Sequence, residues 1–147
     1  MKIEFKKTKI GFGFTGETQL VFCGKPTTIS VVVDTENEIT KSQYEVLEHF
    51  LLAWNNVNSD IAKAIYEYYR KRENVFNDWF PEGVRINSVE DIIKNICLEG
   101  LYIPMQEDSN SNTVYLLLSC SWDNENGIGI QISNNSIIKV DDRSIAF

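Results

Sequence analysis

The chain has 147 residues, a hydrophobic fraction of 43% and a charged fraction of 24%, the composition of an ordinary globular protein and enough chain for one sizeable core. Fourteen Lys and Arg against twenty-one Asp and Glu give a formal charge of −7, with a local +3 over residues 1–10 leaving the remainder at −10. This balance argues against nucleic acid as a partner, which calls for a basic face that releases counterions. No apolar run approaches the roughly 20 residues that cross a bilayer, so no membrane role is expected. The N-terminal Met1-Lys2-Ile3-Glu4-Phe5-Lys6-Lys7 lacks the continuous apolar segment of a secretory signal, so a cytoplasmic address is expected.

In chain order, residues 2–34 read as strands. Ile10, Phe12 and Phe14 alternate with Gly11 and Gly13; Leu20-Val21-Phe22 follows, and then Thr28 to Val33, with Gly16 and Gly24-Lys25-Pro26 between the runs. The short turns predict an antiparallel arrangement. Thr40 and Gln43 have capping-box spacing and open a helix whose Leu47, Phe50, Leu51 and Trp54 share one face. Asn55 to Asn58 interrupts it, and Asn58 or Ser59 caps a second helix with Ile61, Ile65 and Tyr68 on its apolar stripe. Arg70, Lys71 and Arg72 complement the negative C-terminal end of that helix. Val75 to Gly83 reads as an aromatic loop containing Trp79 and Phe80 before Pro81. Ser88 opens a third helix with Val89, Ile92, Ile93, Ile96 and Cys97 as its stripe, ended by Gly100.

Strands then return. Leu101 to Met105 reads as a short strand that Pro104 places at a sheet edge or a strand end. Val114 to Trp122 is the most apolar segment and is predicted to be central. An acidic hairpin loop, Asp123 to Gly127, leads into Ile128 to Ile132, and Asn134-Asn135 turns into Ile137 to Val140. The order βββ-ααα-ββββ predicts a single α+β domain over 1–147, with a mostly antiparallel sheet and about three helices on one face.

Residue types with chemical potential are few and scattered. Cys23, Cys97 and Cys120 form no CxxC pair and lie among apolar residues, so buried free thiols are expected and no metal site. Gly11-x-Gly13-x-x-Gly16 matches a dinucleotide fingerprint only as a string, because a strand and not a helix follows it. His49, the single histidine, falls opposite the apolar stripe of its helix, with no nucleophile motif to meet it. Paired carboxylates (Glu36 and Glu38, Glu45 and Glu48, Glu107 and Asp108, Asp123 and Glu125, Asp141 and Asp142) fall mostly in predicted turns, where solvation explains them. No catalytic residue and no cofactor are expected.

The stretch Val114 to Ile130 joins an apolar strand ending in Ser121-Trp122-Asp123 to an acidic Gly-containing turn and a Gly127-Ile128-Gly129-Ile130 return strand. With the N-terminal strand pair and the Thr40-x-x-Gln43 helix start, it resembles small bacterial domains of uncharacterised activity associated with polymorphic-toxin and contact-dependent inhibition loci. The resemblance implies an immunity protein, a non-enzymatic module that neutralises a toxin by binding it; a monomer or weak dimer is expected. An acidic surface suits a basic toxin domain, since opposite charge steers association. Aromatic anchors are needed as well; Trp79 and Phe80 are the expected ones, with Asp123 and Glu125 as acidic contacts and Trp122 beside them, though Trp54 and Trp122 also suit a core. The alternative is a small-molecule-binding or hydrolytic enzyme using a carboxylate-lined cleft between helices and sheet.

Overall fold

The computed structural model describes residues 3–8, 13–76, 85–107 and 111–147. It is an α+β fold built on one seven-stranded sheet with strands in sequence order: β1 (Lys6–Lys7), β2 (Phe14–Phe22), β3 (Lys25–Val33), β4 (Ile96–Ile103), β5 (Thr113–Cys120), β6 (Ile128–Ser133) and β7 (Ser136–Asp141). Four helical segments, α1 (Lys41–Leu52), α2 (Trp54–Lys71), α3 (Glu73–Phe76) and α4 (Val89–Lys94), separate β3 from β4. Every neighbouring pair is antiparallel except β3 and β4, which run parallel. A parallel pair needs a long crossover, and the helices supply it.

Local chemistry sets the hairpins. Cys23 and Gly24 (φ 51° and 80°) join β2 to β3, and Asn134 and Asn135 (φ 51° and 61°) join β6 to β7. Two successive left-handed residues match the twist of a two-residue hairpin, and Gly and Asn adopt that conformation most readily. The predicted strand over residues 10–14 lies partly outside the described residues; the described ladder starts at Phe14.

The helices cover one face of the sheet. Leu20, Phe22, Ile29, Val31, Leu101, Leu116 and Ile130 point to that side and are buried. Helix α1 begins with the predicted capping box, the Thr40 hydroxyl accepting from Gln43 N while Gln43 Oε1 accepts from Thr40 N. Gln43 is completely buried and its Nε2 also donates to the Asp34 and Pro104 carbonyls at 2.7 and 3.2 Å, tying the helix start to the ends of β3 and β4. On the opposite face, a 3₁₀ turn (Arg143–Ala146) folds back over β6, and Phe147 reaches the Tyr102 ring at 5.2 Å.

Two expectations are corrected. Residues 55–58 do not break the helix: α2 starts at Trp54 and only Ala53 separates it from α1. Helix α4 stops at Lys94, and Ile96 to Gly100 belong to β4, where Ile96 and Leu98 pair with Cys120 and Leu118. The helical spacing of those apolar residues yielded to sheet pairing, which β-branched Ile96 favours. Leu101 to Ile103 are thereby the buried end of an internal strand, and of the two placements expected for Pro104 the strand end is the one observed.

Candidate functional site

The acidic turn between β5 and β6 is a braced structure. Asp123 Oδ1 accepts from the backbone and side-chain nitrogens of Asn126 (both 3.2 Å), and the Asp123 carbonyl accepts from Gly127 N at 3.0 Å. Arg143 grips the far side: its Nε donates to the Asn126 carbonyl and its Nη2 to the Glu125 carbonyl (3.0 Å each), while Nη1 lies 3.4 Å from Glu99 Oε1. Gly127 takes a left-handed φ of 62°, and a Cβ there would stand 2.5 Å from Arg143 Nε, so both conformation and space require glycine. Asp123 therefore shapes the loop, whereas the Glu125 side chain is exposed.

Trp122 is 1% exposed and packs on Tyr69 and Phe76 at centroid distances of 5.5 and 6.2 Å. It is a core residue, not a surface anchor, as is Trp54 at 4%. Trp79 and Phe80 lie outside the described residues.

The other singled-out residues separate clearly. His49 is exposed on α1. Arg70 and Arg72 close α2 as expected, each bonded to a tyrosine hydroxyl one turn back (Tyr66 and Tyr68, 3.1 Å), with Arg72 also over the Phe76 ring. The expectation of three buried thiols holds for Cys120, whose pKa burial pushes up to about 12. Cys23 is half-buried, and Cys97 is exposed on the sheet face away from the helices. Among the described residues no group of three or more His, Cys, Asp or Glu could hold a metal ion. No helix among them is long and apolar enough to cross a membrane.

Two concavities are large enough to receive a ligand or a partner's side chains. The first, of about 660 Å³, lies between the N-terminal segment and α1 and is lined by Ile3, Phe5, Tyr44, Leu47, Glu48, Leu51 and Leu52. The second, of about 680 Å³, lies at the carboxyl ends of the parallel pair β3 and β4, where Glu36, Glu38 and Glu107 line it with Thr35, Thr40 and Met105. The carboxyl ends of parallel strands are where α/β folds commonly bind ligands. Here the three carboxylates are exposed, and the Thr35 hydroxyl already donates to the Glu38 carbonyl at 2.8 Å.

A family model spans residues 2–147, almost the whole chain that forms this sheet and its helical crossover. The chain belongs to the family described as Domain of unknown function (DUF6985). No curated protein and no solved structure matches it. Membership in DUF6985 carries no activity with it, so the chemistry must be read from the site itself. Sequence reasoning missed the first groove, because its walls come from opposite ends of a long-range contact between residues 3–5 and α1. It missed Arg143 for the same reason.

Proposed function

We propose that this DUF6985 chain is a non-enzymatic protein-binding module that acts as an immunity protein, neutralising a bacterial toxin by direct contact. The observation that supports this is the pairing of an apolar groove with a dispersed acidic exterior. The groove exposes Tyr44 and Leu52 (50% and 78%) and has Glu48 as the one charged residue among its described lining, while the chain carries a net −7. Protein interfaces combine such apolar centres with charged surroundings that steer the partner. The exposed Glu125 is a second acidic contact in this reading. The partner is a basic toxin domain. Co-expression with the toxin domain encoded next to this chain is expected to restore growth and yield a stoichiometric complex that weakens as salt rises. A verified neighbour that neither binds nor is silenced would overturn the reading.

The cleft of Glu36, Glu38 and Glu107 supports a second reading, a small-molecule site, since its volume falls within the roughly 300–1,000 Å³ of such pockets. It ranks below the first because these carboxylates stand in solvent, where charge pairs and proton transfers gain least. A thermal-shift screen against metabolites, repeated on the Glu36→Gln and Glu107→Gln variants, separates the two: ligand stabilisation abolished by both changes would favour the cleft.

A further inference from the structure

We infer that Asn126-Gly127, in the β5 to β6 loop, is a self-modification site, where the Gly127 amide nitrogen displaces ammonia from the Asn126 carboxamide once the grip of Asp123 and Arg143 is released. The inference is independent of the protein-binding reading.

Asn126-Gly127 is the one Asn-Gly pair in the sequence. Its reaction needs only water. The Gly127 nitrogen, having lost its proton to solvent base, attacks Asn126 Cγ; the N–Cγ bond forms, the Cγ–Nδ2 bond breaks and ammonia leaves with a proton. Water then opens the five-membered imide. Opening at one carbonyl leaves an aspartate, and at the other an isoaspartyl link that carries the chain through the side chain. Asparagine is thermolabile by this route, and a following glycine favours it because no Cβ hinders the approach. Asn126 is exposed, so water reaches the carboxamide, whereas Gly127 is buried.

Three restraints oppose ring closure in the folded chain. The nucleophile is occupied, since Gly127 N donates to Asp123 O at 3.0 Å. The electrophile is held beside its own backbone, since Asn126 N and Nδ2 both donate to Asp123 Oδ1 at 3.2 Å. The peptide between them is clamped, since the Asn126 carbonyl accepts from Arg143 N and from Arg143 Nε, each at 3.0 Å. Closing the ring turns that peptide about the Asn126 Cα–C bond, and two donors on its oxygen resist the turn.

The clamp comes from outside the loop, because Arg143 belongs to the C-terminal 3₁₀ turn. Lifting that turn frees the Asn126 carbonyl, and the site then reacts in proportion to how often it is open. The change runs one way. An aspartate at position 126 sets a second carboxylate against Asp123 Oδ1 where the Nδ2 donor stood. An isoaspartyl link adds a backbone carbon next to Gly127, where even a Cβ would meet Leu118 O at 2.6 Å. Either product loosens the brace, so a transient opening of the loop becomes permanent.

The test incubates the full chain at pH 8 and 37 °C, then counts aspartate and isoaspartate at position 126 by chromatography and mass spectrometry of the digest. Asn135, in the β6 to β7 turn, is the internal reference. Conversion at position 126 is expected to be about tenfold or more faster in the urea-unfolded chain than in the folded one. Arg143→Gln keeps the backbone bond and loses the charged one, so the folded variant is expected to convert about tenfold faster than the parent with Asn135 unaffected. Arg143→Lys carries the same test, with the same direction, where Arg143→Gln does not fold. Glu99→Gln removes the ion pair but leaves both bonds to the Asn126 carbonyl, and is expected to change the rate by about fivefold at most. Equal rates in the folded and unfolded parent, or a rate in the folded Arg143 variant equal to or below the parent's, would overturn the inference. Acceleration of Asn135 by the same factor as Asn126 would overturn it too, because the effect would then be global unfolding and not release of this loop.

Discussion

Replacing Gln43 by Ala tests how the helical layer is fixed to the sheet. The side chain is completely buried and serves three groups from different elements: Thr40 N, Asp34 O and Pro104 O. A hydrogen bond contributes a net ~0.5–1.5 kcal/mol and a stranded buried partner costs ~1–3 kcal/mol. Thr40 is half-buried, so water can reach part of what Gln43→Ala uncovers. The expected loss is about 3 kcal/mol, equivalent to roughly 6–12 °C in Tm for a chain of this length. Urea and thermal unfolding followed by circular dichroism measure it, with an unchanged denaturant slope showing that the folded state keeps its compactness. Gln43→Glu sharpens the test. Its carboxylate can still accept from Thr40 N, but when ionised it faces two carbonyl oxygens in a buried site, which raises its folded pKa above the unfolded value near ~4.3. Its deficit relative to the parent chain must therefore be small below about pH 4 and grow as pH rises through that value. A loss under about 1 kcal/mol for Gln43→Ala, or a Gln43→Glu deficit that is flat between pH 4 and 7, would refute the reasoning.

Gly129→Ala would bring a Cβ within 2.5 Å of Ile145 Cγ2 and 2.7 Å of Asp142 O, so it should lift the C-terminal turn off the sheet and destabilise by about 1–3 kcal/mol. Hydrogen exchange of residues 143–147 is expected to accelerate, and unchanged exchange would refute the contact. Cys97 is exposed, whereas burial pushes the Cys120 thiol up to about 12. Iodoacetamide at pH 8 should therefore label Cys97 first and Cys120 only on unfolding, as mass spectrometry of the digested chain will show. The Ser144 hydroxyl and amide hold the Asp142 carboxyl below its ordinary range. A depressed folded pKa contributes stability above the unfolded value and loses it as pH falls through the folded one, so the 3₁₀ turn should loosen in acid. Ser144→Ala should raise the Asp142 pKa in a carbon-detected NMR titration, and an unmoved value would refute the bond.

What could be read from sequence was what is written within a few residues. The Gly24 and Asn134-Asn135 turns, the Thr40 and Gln43 capping box and the basic end of α2 were all visible, because each depends on near neighbours. Ile92, Ile93, Ile96 and Cys97 fit a helical period, and the competing two-residue alternation of Ile96 and Leu98 was obscured by the register shift at Glu99. That Gln43 points inward, that Arg143 holds the β5 to β6 loop and that Trp54 caps Val21 are contacts between distant positions, for which spacing carries no signal.

The parallel joint between β3 and β4 has a consequence for how the molecule assembles. The β2 to β3 hairpin and the β4 to β7 meander can each zip from their own turns, but they meet only along residues 30–33 and 100–103, with residues 34–95 strung between. Closing so long an intervening segment is entropically slow, so this seam is expected to form last and to limit the refolding rate. Until it closes, both halves carry a bare apolar margin, and the newly made chain is most vulnerable to self-association during that interval.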